Sequence, residues 1–181
     1  MILLDNSIAF AAPPRTGSTW FIKAAAEIGI AGSTKTNLHT PATSDWKSYS
    51  VSLVRHPAQW LMSYFLALEG GSIGVPEIDQ FATCYAPKNV SASLRAFLRT
   101  PEGSLTRAFN TYHADTVLKL EDFPWGPMEF FMSLGYDNVE KLRHLPVQNA
   151  YYGVVYQLDR KWVKRIIQHE PEYCESYDYF Y

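Results

Sequence analysis

The stretch from Ser7 to Ile28 constrains this chain more than any other. Ser7-Ile8-Ala9-Phe10 is a short apolar run of the kind that forms a buried strand. Phe21-Ile22-Lys23-Ala24-Ala25-Ala26-Glu27-Ile28 has the period of a helix. Phe21, Ala24, Ala25 and Ile28 recur at i, i+3, i+4 and i+7, so one helical face is apolar. Between strand and helix lies Ala11-Ala12-Pro13-Pro14-Arg15-Thr16-Gly17-Ser18-Thr19-Trp20. A strand, a tight turn of small residues and a helix start make a phosphate-binding arrangement. The first helical turn has N–H groups without intrahelical acceptors and the positive end of the dipole. Gly17 lets the backbone curl close to a ligand without a Cβ in the way. Thr16, Ser18 and Thr19 add hydroxyls, and Arg15 adds a permanent charge with a forked donor set. The plain alternative is a strand-to-helix turn with a capping Ser or Thr.

The loop is not a Walker A sequence, which requires G-x-x-x-x-G-K-[ST]. Aligned on Gly17, Ala12 stands in place of the first glycine and Ser18 in place of the lysine. That lysine reaches the β- and γ-phosphates, so this loop suits a shorter or differently placed anion. Pro14-Arg15-Thr16-Gly17-Ser18-Thr19-Trp20 resembles the 5′-phosphosulfate loop of PAPS-dependent sulfotransferases, commonly Pro-Lys-Ser-Gly-Thr-Thr-Trp.

A second junction follows. Tyr49-Ser50-Val51-Ser52-Leu53-Val54-Arg55 reads as a strand, and His56-Pro57 opens a helix with proline at its preferred first position. Ala58, Leu61, Phe65 and Leu68 form the buried stripe of that helix. Arg55 ends the strand and Ser63 comes eight residues later. The spacing is that of the sulfotransferase 3′-phosphate motif, and Arg55 can meet a phosphate bidentately. A surface arginine with a solvent-facing helical serine is the competing reading.

Elsewhere, Thr34-Lys35-Thr36-Asn37-Leu38-His39 reads as a short second strand ended by Thr40-Pro41. Ile78 to Tyr85 is ambiguous. Val90 to Arg99 is helical with Leu94, Phe97 and Leu98 inward, and Asn89 or Ser91 caps its start. Glu102 to Tyr112 is a further helix. Asp115 to Leu120 is a strand leading through Glu121-Asp122 to an amphipathic helix with Met128, Phe131, Met132 and Leu134. A strand ending in Glu-Asp also resembles the family, although Glu121 and Asp122 read as mainly structural. Leu158 to His169 is amphipathic, with Arg160, Lys161, Lys164 and Arg165 on a solvated face. The tyrosine-rich tail from Tyr173 packs back on the domain.

Alternating strands and helices predict an α/β fold, a three-layer α/β/α with a parallel sheet of the P-loop-containing nucleotide hydrolase type. Both candidate phosphate sites then lie at the carboxyl ends of strands. The 181 residues suit a single sulfotransferase-like domain spanning 1–181. A formal charge of −2 with scattered cations argues against a nucleic-acid partner. No apolar stretch approaches a membrane-spanning length, and the N-terminus lacks the basic start of a secretory leader. Two cysteines, Cys84 and Cys174, make no disulfide framework, so a reducing, cytoplasmic setting is expected.

The resemblance implies transfer of a sulfuryl group from PAPS to a hydroxyl or amine of a small-molecule or carbohydrate acceptor, with PAP as product and no metal. It implies that Arg15 and the loop N–H groups stabilise charge on the leaving phosphate, that Thr16, Gly17, Ser18 and Thr19 cradle the 5′ end, and that Arg55 and Ser63 hold the 3′-phosphate. Trp20 stacks on adenine in this reading or, equally, sits in the core. The acceptor needs a general base, and His39 is the best candidate, since imidazole titrates at roughly 6.5. Its match to the family's Lys-Thr-His element is imperfect, because Asn37-Leu38 intervenes after Lys35-Thr36. Glu69 and Glu77 remain alternatives. The family's C-terminal Arg-Lys-Gly…Gly-x-x-Gly-x-x-Lys segment, which also touches the 3′-phosphate, is absent. Two other readings stand beside this one: a small P-loop nucleotide kinase with a degenerate loop, and a non-catalytic nucleotide-binding protein.

Overall fold

A computed structural model describes residues 2–4, 8–34, 39, 49–68, 75–86, 88–146 and 158–180. The strands are β1 (Ile2–Leu4), β2 (Ile8–Phe10), β3 (Gly32–Thr34), β4 (Tyr49–Val54) and β5 (Thr116–Lys119). The helices are α1 (Ser18–Glu27), α2 (Pro57–Ala67), α3 (Pro76–Asp79), α4 (Val90–Phe97), α5 (Ser104–Asn110), α6 (Trp125–Ser133), α7 (Arg160–His169) and α8 (Pro171–Ser176), with 3-10 turns at Gln80–Cys84, Leu120–Asp122 and Val139–His144. Two compact units result: Met1–Val54 with Tyr112–Val154, and Arg55–Thr111 with Val155–Tyr181. Among the described residues, no helix is long and apolar enough to cross a membrane.

The first unit holds the sheet, ordered β3-β1-β2-β4-β5. β2, β4 and β5 are parallel, with Phe10 beside Val51 and Val54 beside Lys119. β1 is antiparallel to both neighbours, with Ile2 opposite Phe10 and Thr34. The expected parallel sheet is therefore a mixed α/β sheet, parallel over three strands only. Chain length explains the difference. Only Asp5-Asn6-Ser7 separates β1 from β2, whereas a parallel connection needs a crossover of a dozen residues or more. The expected strand over 34–39 is described only at its two ends. The strand present is β3, which ends at Thr34, and His39 lies in a turn. Residues 35–38 lie outside the described ones.

α1 packs as its period predicts. Phe21, Ala24, Ala25 and Ile28 are buried, and the Phe21 ring lies 4.5 Å from Phe10 and 5.2 Å from Phe131. In α6, Met128 and Phe131 are buried, whereas Met132 and Leu134 are exposed. Pro127 and Phe130 take the inward places, and Leu134 falls after the last helical turn.

The second unit is helical around an aromatic core. Trp60 stacks on Tyr64 (4.9 Å, 13°) and meets Phe81 and Phe109 edge-on. Pro57 occupies the first turn of α2, and the ambiguous stretch 78–85 is the end of α3 and a 3-10 turn. The Asn89 side chain accepts the Ala92 N–H at 3.0 Å and caps α4. The cations Arg160, Lys161, Lys164 and Arg165 are exposed on α7. Cys84 and Cys174 are buried free thiols.

A buried polar network ties three stretches of this unit together, at Thr100, at Leu105 and Thr106, and at His169 and Glu170. The Glu170 carboxylate, 0% exposed, accepts the N–H of Leu105 (3.1 Å), the N–H of Thr106 (3.0 Å) and the Thr106 hydroxyl (3.0 Å). It also lies 2.9 Å from Nδ1 of His169, whose Nε2 is 3.0 Å from the Thr100 carbonyl. The carboxylate thus supplies acceptors to the orphan N–H groups at the start of α5.

Candidate functional site

The first unit carries the loop between β2 and α1. Ala11 extends the strand pairing by donating its N–H to Val51 O at 3.3 Å, after which the chain turns. Arg15 has φ 69 and Gly17 has φ 93, whereas Thr16 between them and Ser18 after them do not adopt positive φ. Alternation of sign at successive residues aims consecutive N–H groups toward one point, the concave backbone that binds anions. α1 then begins without a side-chain cap and without an acidic residue in its first turn. The side-chain cap of the plainer alternative reading is absent at Gly17, and the positive end of α1 meets the loop undiminished.

Left-handed backbone is costly for arginine, at about 1–2 kcal/mol. Two hydrogen bonds hold the turn that contains it. The Thr16 hydroxyl, fully buried, donates to Pro13 O at 2.6 Å. His39 Nδ1 lies 2.9 Å from Ala12 O. The Thr16 side chain is therefore spent on bracing the loop, and what Thr16 offers a ligand is its N–H. At Gly17 an added Cβ would come 2.5 Å from Leu120 Cδ1, so glycine answers to packing as well as to φ. Ser18 is buried, while Arg15 and Thr19 are half-buried.

His39 is fixed at both its ring and its backbone. Because a carbonyl only accepts, Nδ1 carries the proton in the bond to Ala12 O, and in the neutral ring Nε2 carries the lone pair. The Tyr112 hydroxyl donates to the His39 carbonyl at 2.6 Å. Burial pushes the imidazole below its ordinary value; the Ala12 carbonyl opposes this and the Arg15 guanidinium adds to it. The ring is then neutral at physiological pH, the form a general base requires. The structure thus brings two of the sequence candidates, Arg15 and His39, onto one loop system. Of the alternative bases, Glu77 lies in α3 of the second unit, and Glu69 falls outside the described residues.

Trp20 is 2% exposed; its indole N–H donates to Leu145 O at 3.2 Å and its ring lies 4.8 Å from Phe123. These are the contacts of a core residue. Glu121 and Asp122 are exposed in the 3-10 turn after β5.

Arg55 and Ser63 belong to the second unit. Arg55 follows β4 directly and Ser63 lies within α2, both half-buried. Sequence reasoning did not foresee the residue that holds the Arg55 backbone. Tyr173, in α8, donates its hydroxyl to Arg55 O at 2.8 Å. The tyrosine-rich tail was a visible signal, but its partner is 118 residues away. Among the described residues, no group of three or more His, Cys, Asp or Glu side chains is arranged to hold a metal ion. No protein-family model matches this chain, and neither a curated protein nor a solved structure matches it.

Proposed function

We propose that this chain is a PAPS-dependent sulfotransferase acting on a hydroxyl or amine of a small-molecule or carbohydrate acceptor, within a P-loop-like α/β/α architecture. The observation that carries the reading is the bond between His39 Nδ1 and Ala12 O, which ties the imidazole to a loop whose alternating φ values turn consecutive N–H groups toward one point, as an anion site requires. A base and an anion cradle in one unit are what transfer of a charged group to an acceptor requires.

The residues present fit the nucleotide's 5′ end. α1 starts uncapped, Ser18 occupies the place of a γ-phosphate lysine, and Arg15 supplies the cation. PAPS would supply the sulfuryl group and a good leaving phosphate. The chain's own part is to hold that phosphate with the N–H groups of Thr16 to Thr19, to neutralise it with Arg15, and to take the acceptor's proton at His39 Nε2. Arg55 and Ser63 are assigned to the 3′-phosphate on their spacing. Trp20, with its indole already hydrogen-bonded, serves the core in this reading.

Calorimetric titration with adenosine 3′,5′-bisphosphate, beside Mg-ATP and ADP, tests the proposal on the wild type and on Arg55→Ala. Tight binding of the bisphosphate without magnesium, weakened in Arg55→Ala, is expected. Preference for Mg-ATP would favour the kinase reading. Bisphosphate binding with no turnover on any acceptor would favour a non-catalytic binder.

A further inference from the structure

The two residues that follow β4 are both engaged by the aromatic tail of their own unit. The Tyr173 hydroxyl donates to the Arg55 carbonyl at 2.8 Å, and the Arg55 N–H points back at the same oxygen at 3.4 Å. Next along the chain, the His56 ring meets Tyr179 edge-on at 5.3 Å. Tyr173 and Tyr179 stack on each other, with centroids 6.0 Å apart and planes 8° from parallel. The tail doubles back to allow this, through Asp178 at φ 51 and the Tyr179 N–H donating to Cys174 O at 2.9 Å. Phe109 and Tyr177 close on the remaining sides of Tyr173, at 5.1 and 4.9 Å.

Tyr173 is 1% exposed. Packing alone would be served by phenylalanine; a buried phenol whose proton and lone pair both address one backbone position does something more. We propose that Tyr173 is a positioning residue that fixes the backbone of Arg55 and, through it, the guanidinium assigned to the nucleotide's 3′-phosphate. This rests on the two-phosphate reading above. An arginine side chain carries substantial rotamer freedom, and anchoring its base lowers the ordering cost of binding.

Tyr173→Phe removes the hydroxyl and keeps the ring. The full chain is titrated with adenosine 3′,5′-bisphosphate and with AMP, which lacks the 3′-phosphate. Tyr173→Phe should lose roughly five- to tenfold in affinity for the bisphosphate, the worth of one hydrogen bond. Its affinity for AMP should stay within about twofold, as expected of a substitution that leaves AMP's own contacts intact. In an Arg55→Ala background the same change should have no further effect. Tyr177→Phe, which deletes the neighbouring hydroxyl, should bind both nucleotides like the wild type. Tyr179→Leu gives a second route, with a smaller loss for the bisphosphate and none for AMP. Equal weakening of both nucleotides, or of neither, would overturn the positioning role and leave Tyr173 a core residue. Wild-type protein that does not distinguish the bisphosphate from AMP would overturn the two-phosphate reading itself.

Discussion

Glu170→Ala should strongly destabilise the fold from outside the candidate site. The carboxylate is fully buried and accepts from two backbone N–H groups, one hydroxyl and the ring of His169. His169 has an acceptor at each nitrogen, the Glu170 carboxylate and the Thr100 carbonyl, so only the imidazolium satisfies both. Alanine would strand the imidazolium and the first donors of α5 together. Breaking a buried pair of this kind costs about 3–5 kcal/mol. Glu170→Gln keeps one carbonyl acceptor and should cost about 1–3 kcal/mol. The network also makes stability depend on pH. The Glu170 hydrogen bond raises the His169 pKa against the opposing effect of burial, and the Thr100 carbonyl helps to raise it. The folded chain therefore holds this proton more tightly than the unfolded chain. The contribution is complete below the unfolded value of roughly 6.5 and fades as pH rises through the higher folded value. Urea unfolding followed by circular dichroism, at half-unit steps from pH 5.5 to 8.5, should show wild-type stability declining across that window, and His169→Gln should flatten the decline. A Glu170→Ala loss under about 1 kcal/mol, or identical pH slopes for wild type and His169→Gln, would refute the reasoning.

Three further outcomes are expected. Gly17→Ala and Gly29→Ala both place a side chain at positive φ, but only Gly17 has a neighbour, Leu120 Cδ1, in the path of the new Cβ. Chemical denaturation should show about 1–2 kcal/mol lost at Gly29 and about 1–3 kcal/mol more at Gly17; equal losses would mean that Leu120 yields without cost. His39→Ala should abolish turnover, while nucleotide affinity should fall by no more than about tenfold, the worth of the one hydrogen bond the ring gives the loop at Ala12 O. In the wild type the acidic limb of kcat should fall at a pH below roughly 6.5, because burial lowers the imidazole's pKa; unchanged turnover would sink the base assignment. Asn89→Ala should lower stability by about 1 kcal/mol through loss of the α4 cap, as read by thermal or urea unfolding.

What the sequence announces is what a few neighbouring residues decide among themselves. The strand at Ile8, the turn at Gly17 and the buried face of α1 are visible because a single glycine and a helical period suffice to specify them. Pro57 at the start of α2 and Asn89 at the start of α4 are legible for the same reason. β1 and β3 are three residues each, too short for any alternation to register, and β1 alone runs against the other strands because so little chain connects it to β2. Met132 and Leu134 fit an apolar stripe on paper, yet the face of α6 is centred on Pro127, Phe130 and Phe131. In the candidate site, Arg15 and Gly17 could be named from the motif, whereas the inward turn of the Thr16 hydroxyl depends on the loop's own geometry. Glu170 is hard to single out in the sequence, because Leu105 and Thr106, whose N–H groups it accepts, lie 65 and 64 residues away.

The bond between Tyr173 and Arg55 closes 118 residues of chain, whereas the bond from His39 to Ala12 closes 27. Contacts of long sequence separation form slowly, since much chain must be gathered before they return anything. During synthesis the loop around Gly17 has its braces at hand once His39 has been made. Arg55 is made soon afterwards but waits until α8 exists before its backbone is held. The segments around Gly17 and Arg55 therefore acquire these two hydrogen bonds at different times, and in a nascent chain the first loop can gain its His39 brace while the Tyr173 tie to Arg55 is still to come.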